Sequence, residues 1–301
     1  MREIVKKIYL NVVPIILRKK LSIIRNYNNL NDLRKEIIKY YSRLPENQIT
    51  EEQYQVVEYL KKNPISEFPY IFQEKYNPMK VEVFLDEKIG LHYVFQNKKR
   101  LYFKRSWTKN IIKDKYNFLQ IEQDINSPHR YLTDEFNINY NDVIVDIGVA
   151  EGNFALSVIE KASKMYLFET DKEWIEALKA TFAPWSEKVE IINKFVSDKN
   201  DEKNVTLDYF FEKKQEINFI KIDVDGAETV LLKGCDKILS DKKSLKVALC
   251  TYHKQDDEVN FANLLKNKGF DIVYSKGYMI FIYDNEIKAP YLRRGLIRAT
   301  K

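Results

Sequence analysis

The spacing of hydrophobic positions along the chain changes near residue 141. Before that point, apolar residues recur every three to four positions and predict amphipathic helices over 30–41, 51–62 and 108–123. Shorter apolar runs joined by polar turns predict a β-meander over 81–85, 91–95 and 101–104. Residues 1–125 are therefore expected to form an N-terminal α+β extension, whose role the pattern does not indicate.

After residue 141 the pattern alternates between buried strands and helices. The predicted strands are 143–148, 165–169, 189–197, 219–223 and 245–252. The predicted helices are 153–162, 173–182, 228–239 and 257–268. Such alternation produces a parallel sheet with helices on both faces. Two last runs, 270–275 and 278–283, are separated only by Lys276 and Gly277 and predict a closing antiparallel hairpin. Residues 126–301 are thus expected to form one α/β domain.

Composition and charge limit the classes of protein to which this chain can belong. With 45% hydrophobic and 31% charged residues, the 301-residue chain is globular and can bury a core. Residues 1–140 carry 25 Lys and Arg against 17 Asp and Glu, whereas residues 141–301 carry 25 against 27. Basic clusters at 18–20 and 98–105 would attract phosphate-bearing ligands, nucleic acid or an anionic membrane, or would simply be solvated.

The N-terminus contains an apolar run, 8–17, that is too short to cross a bilayer. We expect no transmembrane span, and a helix that packs against a partner such as a second copy of the chain, with peripheral membrane contact as the alternative. Cys235 and Cys250 form no disulfide framework and lack metal-ligand spacing, which predicts a reducing, cytoplasmic location.

The end of the first strand of the α/β domain reads Asp146-Ile147-Gly148-Val149-Ala150-Glu151-Gly152-Asn153. Gly148 permits a tight turn, and Gly152 lets the backbone approach a ligand where a helix begins. Glu169, at the end of the next strand, can accept hydrogen bonds from both hydroxyls of a ribose. Because ligands of open α/β sheets bind beyond the carboxyl ends of the strands, these residues predict a pocket for an adenosine-containing cofactor.

The cofactor is not expected to be a dinucleotide. The dinucleotide fingerprint requires glycine at the first, third and sixth positions, and here those are Gly148, Ala150 and Asn153. S-adenosylmethionine carries no phosphate but has a positive sulfonium and an amino-acid tail, which suit the acidic side chains of Asp146 and Glu151. A seven-stranded methyltransferase fold also ends in an antiparallel hairpin.

At this point the sequence resembles a known family. The segments are DIGVAEGNFAL (146–156), YLFETD (166–171), VSDKN (196–200), LDYFF (207–211), FIKIDVDGAETVLLKG (219–234) and TYHKQDDE (251–258). Over about 125–301 the chain is similar to the FkbM family of S-adenosylmethionine-dependent O-methyltransferases, including its closing GYMIFIYD and PYLRRG segments. The resemblance implies a Rossmann-like seven-stranded fold, S-adenosylmethionine as cofactor and a sugar hydroxyl as acceptor.

The resemblance also implies roles for individual residues. Those expected at the cofactor are Asp146, Gly148, Glu151, Gly152, Asn153, Glu169, Ser197 and Asp198. Ser197 and Asp198 would lie at the adenine, although the same pair is typical of a plain turn. Those expected at the acceptor, from their positions in the chain rather than from the resemblance, are His129, Tyr131, Asp225 and Tyr252. His129 could equally make only a contact within the linker that enters the domain.

Methyl transfer to a sugar hydroxyl benefits from a general base, because the hydroxyl is a weak acid. His253 follows the fifth strand and is expected to serve as that base in its neutral form, polarised by Asp223 or Asp256. Alternatively, His253 would donate a hydrogen bond to the substrate or would serve as a structural cap. A divalent metal could bind acids after the fourth strand, but the fifth strand end offers no carboxylate before Asp256, which counts against metal dependence.

The expected function is therefore transfer of a methyl group from S-adenosylmethionine to a hydroxyl of a nucleotide-linked or polymer-bound sugar in bacterial surface-glycan biosynthesis. A lipid-linked or small natural-product hydroxyl is the alternative acceptor. A nucleic-acid-binding methyltransferase would use the 98–105 cluster, but Asp223-Val224-Asp225-Gly226 is not the motif that base methylation needs, so no nucleic-acid partner is expected. A non-catalytic assembly partner with the same fold is a further alternative.

Overall fold

A computed structural model describes residues 29–214, 216–284 and 286–301. The apolar run at 8–17 and the basic cluster at 18–20 lie outside these residues. The extension contains helices α1 (29–41) and α2 (Glu51–Lys62). One 3-10 helix lies between them in the chain (Glu46–Gln48), and two follow α2 (Ile71–Lys75 and Pro78–Lys80). Thr50 starts α2 with a capping box, because its side chain accepts from the Gln53 amide while the Gln53 side chain accepts from the Thr50 amide.

The predicted meander is present as an antiparallel sheet, β1 (Phe84–Asp86), β2 (Leu91–Gln96) and β3 (Lys99–Tyr102). Helix α3 (Lys109–Glu122) follows, capped by Thr108. The large sheet contains β4 (Asp142–Ile147), β5 (Ala162–Phe168), β6 (Val189–Ile192), β9 (Phe219–Ile222), β10 (Lys246–Cys250), β11 (Asp271–Tyr274) and β12 (Leu296–Thr300). Two short strands, β7 (Phe195–Val196) and β8 (Asn204–Val205), pair beside it.

The order of strands in the large sheet is β11-β12-β10-β9-β4-β5-β6. Neighbours among β10, β9, β4, β5 and β6 are parallel, whereas β12 is antiparallel to both β10 and β11. The chain runs outward from β4 in one direction and later returns to β9 on its other side. The carboxyl ends of β4 and β9 therefore form the switch point at which such sheets bind ligands. This is the predicted α/β methyltransferase topology, with the predicted α+β extension before it.

Helices cover both faces of this sheet. They are α4 (Asn153–Val158), α5 (Lys172–Phe182), α6 (Leu207–Phe210), α7 (Glu228–Lys233), α8 (Asp236–Asp241) and α9 (Asp257–Asn267). The predicted helix over 228–239 is two helices separated at Gly234, whose backbone packs against the carbonyl of Ser197. Within the described ranges, no helix has both the length and the apolar character needed to span a membrane.

The prediction that residues 278–283 pair with β11 in a hairpin was wrong. β11 pairs with β12, and residues 275–295 leave the sheet between them. Residues 278–283 alternate like a strand because two different surfaces bury them. Tyr278 and Ile280 pack with α1 and α2, whereas Met279 joins the core of the large sheet. Alternation alone could not reveal that this segment bridges two parts of the molecule.

One hydrophobic cluster extends from Phe68 through the meander and α3 to β4, β5 and β12. A second cluster fills the other face of the large sheet. The meander and the α/β core therefore share buried contacts, for example between the Tyr102 amide and the Thr181 hydroxyl (3.0 Å). The proposed division at residue 125/126 remains a prediction.

Candidate active site

A cleft of about 730 Å³ opens at the carboxyl ends of β4, β5 and β9. One side is formed by the loops after the strands and includes 147–151, 168–171 and 194–196. The opposite side is formed by α3, by the 275–295 segment and by Glu67. Its volume lies within the range of about 300–1,000 Å³ that is typical of ligand pockets.

The first turn of the cleft depends on the close approach of two backbones. Gly148 has φ +75°, and a Cβ atom at this position would lie 1.8 Å from the carbonyl oxygen of Asp223. Only glycine fits, because both the left-handed conformation and the missing side chain are required. The turns after β4 and β9 are thereby held against each other at the switch point.

A buried ion pair supports this turn from below. Lys221 of β9 lies 3.0 Å from Asp146 Oδ1 of β4, and its ammonium donates a 2.7 Å hydrogen bond to the carbonyl of Gly148. Both side chains are at least 95% buried. Burial alone would lower the pKa of Lys221, but the carboxylates of Asp146 and Asp223 outweigh it and raise that pKa. Lys221 is therefore a cation in the folded protein.

Glu169 is fixed at the rim of the cleft by backbone donors. Its Oε2 accepts from the Ala150 amide (2.9 Å), and its Oε1 accepts from the amides of Thr170 (2.6 Å) and Asp171 (2.8 Å). These bonds hold the carboxylate beside the first turn. A carboxylate held in this way can still accept from ligand hydroxyls, since each oxygen has two lone pairs.

Asp223 is the centre of a buried hydrogen-bond network. Its Oδ2 accepts from the hydroxyl of Tyr131 (2.7 Å) and its Oδ1 from the hydroxyl of Tyr252 (3.1 Å). His129 Nε2 lies 3.5 Å from Oδ2. Burial would raise the pKa of Asp223, but the His129 contact, together with the charges of Lys221 and His253, holds it well below the usual range. Asp223 is therefore a carboxylate that orients two tyrosines.

His253 is placed behind this network. Its Nδ1 is 2.8 Å from Glu228 Oε1, and its Nε2 is 3.6–3.7 Å from the carboxylates of Asp225 and Asp223. Burial alone would lower the pKa of His253, but these three acids raise it to about 10. A pKa of about 10 favours the imidazolium form at neutral pH, in which His253 would balance the charge of the acids that follow β9. The assignment of His253 as a neutral general base stays a prediction.

The loop that carries His253 is anchored by the C-terminal segment. The Arg293 guanidinium donates to the carbonyls of Tyr252 (2.9 Å) and His253 (2.8 Å) and pairs with Asp284. Glu228 completes the corner by accepting from the amide of Val224 (3.1 Å). The turn 223–226 is thereby held from both sides.

Eight of the fourteen predicted site residues line the cleft. They are Gly148, Glu151, Asn153, Glu169, Asp223 and Asp225, with Tyr131 and Tyr252. The remaining six do not line it, namely Asp146, Gly152, Ser197, Asp198, His129 and His253. The ligand contacts assigned to all fourteen stay predictions.

Four of these six residues have other partners in the structure. Asp146 pairs with Lys221. Gly152, at the start of α4, packs against Leu178 of α5. His129 contacts Asp223 and lies 3.8 Å from the thiol of Cys250. The chain bends after β6, so that 194–196 reach the cleft and Ser197 turns inward against Gly234.

Sequence reasoning missed the far side of the cleft and the buried lysine. The far side of the cleft is lined by Glu67, Lys115, Phe118, Glu122, Phe281 and Tyr283. Their distance from the strand ends in the sequence gave no local signal. Lys221 did give a local signal, because a lysine between Ile220 and Ile222 in a buried strand requires a counter-charge.

Among the residues that the structure describes, two groups of side chains have the ligand spacing of a metal site. One is His129, Asp223 and Cys250, and the other is Asp223, Glu228 and His253. In the second group the raised pKa of His253 favours a protonated imidazole, which cannot ligate a metal ion. The first group is buried and offers one carboxylate, so it does not suit Mg²⁺, which prefers oxygen ligands and retains waters.

Comparison with protein families decides the affiliation of the chain. The model of the methyltransferase FkbM domain matches residues 94–272. The chain belongs to the FkbM methyltransferase family. The match starts within β2 and ends within β11, so it includes the switch point and the quoted motifs between residues 146 and 258, whereas the closing GYMIFIYD and PYLRRG segments lie beyond it. No curated protein matches the sequence.

Solved structures that resemble this FkbM-family chain are remote. The methyltransferase FkbM from Methylobacillus flagellatus KT is 15% identical with a TM-score of 0.41, and the alignment covers 64% of this chain and 54% of that one. The precorrin-6y C5,15-methyltransferase from Geobacter metallireducens GS-15 is 13% identical (TM-score 0.39; 56% and 85% covered). TrmK from M. capricolum, in complex with S-adenosyl-homocysteine, is 14% identical (TM-score 0.38; 57% and 69% covered). The chain thus spans about half the length of the first of these.

Proposed function

We propose that this FkbM-family methyltransferase uses S-adenosylmethionine to methylate a hydroxyl oxygen of a sugar. The proposed acceptor is a nucleotide-linked or polymer-bound sugar of a bacterial surface glycan. The observation that carries the proposal is the composition of the cleft, in which a glycine turn with a fixed carboxylate faces a wall of acids, tyrosines and phenylalanines.

The residues at the ends of β4 and β5 fit S-adenosylmethionine. Glu169 offers an oriented carboxylate for the ribose, and Phe168, Phe195 and Val196 offer an apolar wall for the adenine. Burial raises the pKa of Glu151, so this acid at the turn can act as a donor or as an acceptor toward the amino-acid tail. When bound, the cofactor would supply an electrophilic methyl group on its sulfonium.

The opposite wall fits a polyhydroxylated acceptor. Glu67, Glu122 and Asp225 offer carboxyl groups, while Phe118 and Phe281 offer aromatic faces for the C–H surfaces of a sugar ring. A site built to hydrogen-bond hydroxyls discriminates strongly against acceptors that lack them. The main task of these residues is to align the acceptor oxygen and exclude water.

The basic segment 98–105 does not favour nucleic acid. Arg100 pairs with Asp86 (2.9 Å), Lys104 with Asp171 (2.6 Å) and Arg105 with Glu176 (2.6 Å). Cations that are already paired within the protein contribute less to phosphate binding. The structure thus supports the expectation that nucleic acid is not the acceptor.

The test uses S-adenosylmethionine with a labelled methyl group and a panel of nucleotide-linked sugars, with products identified by mass spectrometry. We expect a mass increase of one methyl group on at least one sugar. The same panel should include lipid-linked sugars and short RNA, and exclusive labelling of either would overturn the proposed acceptor. A chelator added in parallel should leave the rate unchanged, since neither candidate group suits a divalent metal.

A further inference from the structure

Glu67 is a buried carboxyl group without an evident structural task. Its side chain lines the cleft although the residue is 7% exposed, and its Oε1 has no hydrogen-bond partner among the described residues. An unpartnered buried carboxyl oxygen costs folding free energy, so its presence points to a ligand that supplies the missing hydrogen bond.

The backbone around Glu67 holds this carboxyl in place. The Glu67 carbonyl accepts from the amide of Ile280 (3.1 Å), which fastens it to the 275–295 segment. The adjacent Phe68 is 1% exposed and packs its ring 5.5 Å from that of Phe118 on α3. The hydroxyl of Tyr70 accepts from the amide of Tyr278 (2.7 Å). Glu67 is thus part of a rigid junction between the extension and the C-terminal segment.

We propose that Glu67 is the residue that accepts the proton of the acceptor hydroxyl, at an acceptor site completed by Phe281 and Tyr283. This inference rests on the proposed function. Glu67, Phe281 and Tyr283 all lie outside the matched family region 94–272. The cofactor half of the cleft therefore lies within the matched region, whereas these three residues of the acceptor end lie before and after it.

The chemistry balances without a further reactant. The acceptor oxygen forms a bond to the methyl carbon, the methyl–sulfur bond breaks with its electron pair left on sulfur, and the hydroxyl proton passes to the Glu67 carboxylate. Release of that proton to solvent restores the carboxylate. His253 is less well placed for this role, because it does not line the cleft and its Nδ1 lies 2.8 Å from Glu228 Oε1.

The charges around Glu67 suit a proton acceptor near neutral pH. Burial raises its pKa to about 7, opposed by the Tyr283 hydroxyl and by Lys115 of α3. Glu122 of α3 is the other acid that faces it, and burial raises the pKa of Glu122 as well. A base is most effective when its pKa lies near the working pH.

The test compares Glu67→Gln with the control variant Glu74→Gln, which removes an exposed carboxyl group of the extension that does not line the cleft. For a sugar that the wild type methylates, Glu67→Gln should lower kcat by about 10²–10⁴-fold. The acidic limb near pH 7 should vanish from the profile of kcat/KM, while the Kd for S-adenosylmethionine stays within twofold. In Glu74→Gln the limb should remain. Glu67→Asp should recover part of the rate.

Three results would overturn the proposal. One is a Glu67→Gln rate above a tenth of the wild-type rate, and another is an unchanged acidic limb. If the wild type methylates no sugar in the panel, the proposed function fails. The titration midpoint of the Glu67 carboxyl group is then measured by infrared difference spectroscopy, with Glu67→Gln as the reference. A midpoint near pH 7 then supports a proton-accepting Glu67, and a midpoint below 5 is the third contrary result.

Discussion

The close approach of two backbones at Gly148 makes a quantitative prediction possible. Gly148→Ala places an L-residue at φ +75°, which costs about 1–2 kcal/mol. It also sets a Cβ atom 1.8 Å from the Asp223 carbonyl oxygen, whereas ordinary contacts are 3.4–4 Å. Because both partners are backbone, the turns after β4 and β9 must separate by more than an ångström, which adds roughly 1–3 kcal/mol.

Gly269 provides a matched control for the conformational part of this cost. It has φ +82°, but the nearest atom to an added Cβ would be the end of the Lys301 side chain, at 3.6 Å. Gly269→Ala therefore pays the left-handed penalty without a clash. We expect a loss of about 1–2 kcal/mol and an unchanged affinity for S-adenosylmethionine.

Two measurements test this pair of variants. Urea unfolding followed by circular dichroism should give a larger loss of unfolding free energy for Gly148→Ala than for Gly269→Ala. Calorimetric titration should show that Gly148→Ala binds S-adenosylmethionine at least tenfold more weakly, equivalent to about 1.4 kcal/mol. Equal stability losses together with equal affinities would refute the claim that this contact shapes the cofactor turn.

The other predictions concern Glu169, Lys221 and His253. Glu169→Ala should weaken S-adenosylmethionine binding at least tenfold in calorimetry, since the oriented carboxylate is lost, and an unchanged Kd would remove Glu169 from the site. Lys221→Met leaves Asp146 buried and unpaired and should cost about 3–5 kcal/mol in urea unfolding. The exposed-pair control Lys214→Met should cost below about 1 kcal/mol, and similar losses would contradict the ion-pair argument. The pKa of His253 is raised from 6.5 to about 10, so the protonated side chain stabilises the fold below pH 6.5, and this stabilisation is lost as the pH rises to 10. His253→Gln should therefore be more destabilising at pH 6 than at pH 10, by up to about 5 kcal/mol, and a pH-independent difference would refute it.

Local patterns were enough to predict most of the elements. Helix α2 has the predicted bounds, and every strand of the parallel sheet lies within a few residues of its prediction. The reason is physical, because periodicity records which side of each element is buried. The glycine turn and Glu169 were likewise predictable, since their roles depend on their position directly after a strand.

Long-range contacts explain what the sequence could not predict. The partner of β11 lies beyond a 21-residue segment, and nothing local distinguishes 278–283 from a paired strand. His253 was correctly expected near the fourth-strand acids, but its protonation depends on Glu228, which is also buried there. Glu67 reaches the cleft only because the extension packs on α3 and on the 275–295 segment.

The most direct test of the account is the site of the transferred methyl group. Wild-type protein is incubated with S-adenosylmethionine labelled with ¹³C in its methyl group and with a sugar from the panel, and the product is analysed by NMR. The account predicts a methyl carbon bonded to a hydroxyl oxygen of the sugar. A label on nitrogen or carbon, or no transfer to any sugar while S-adenosylmethionine binds, would contradict it.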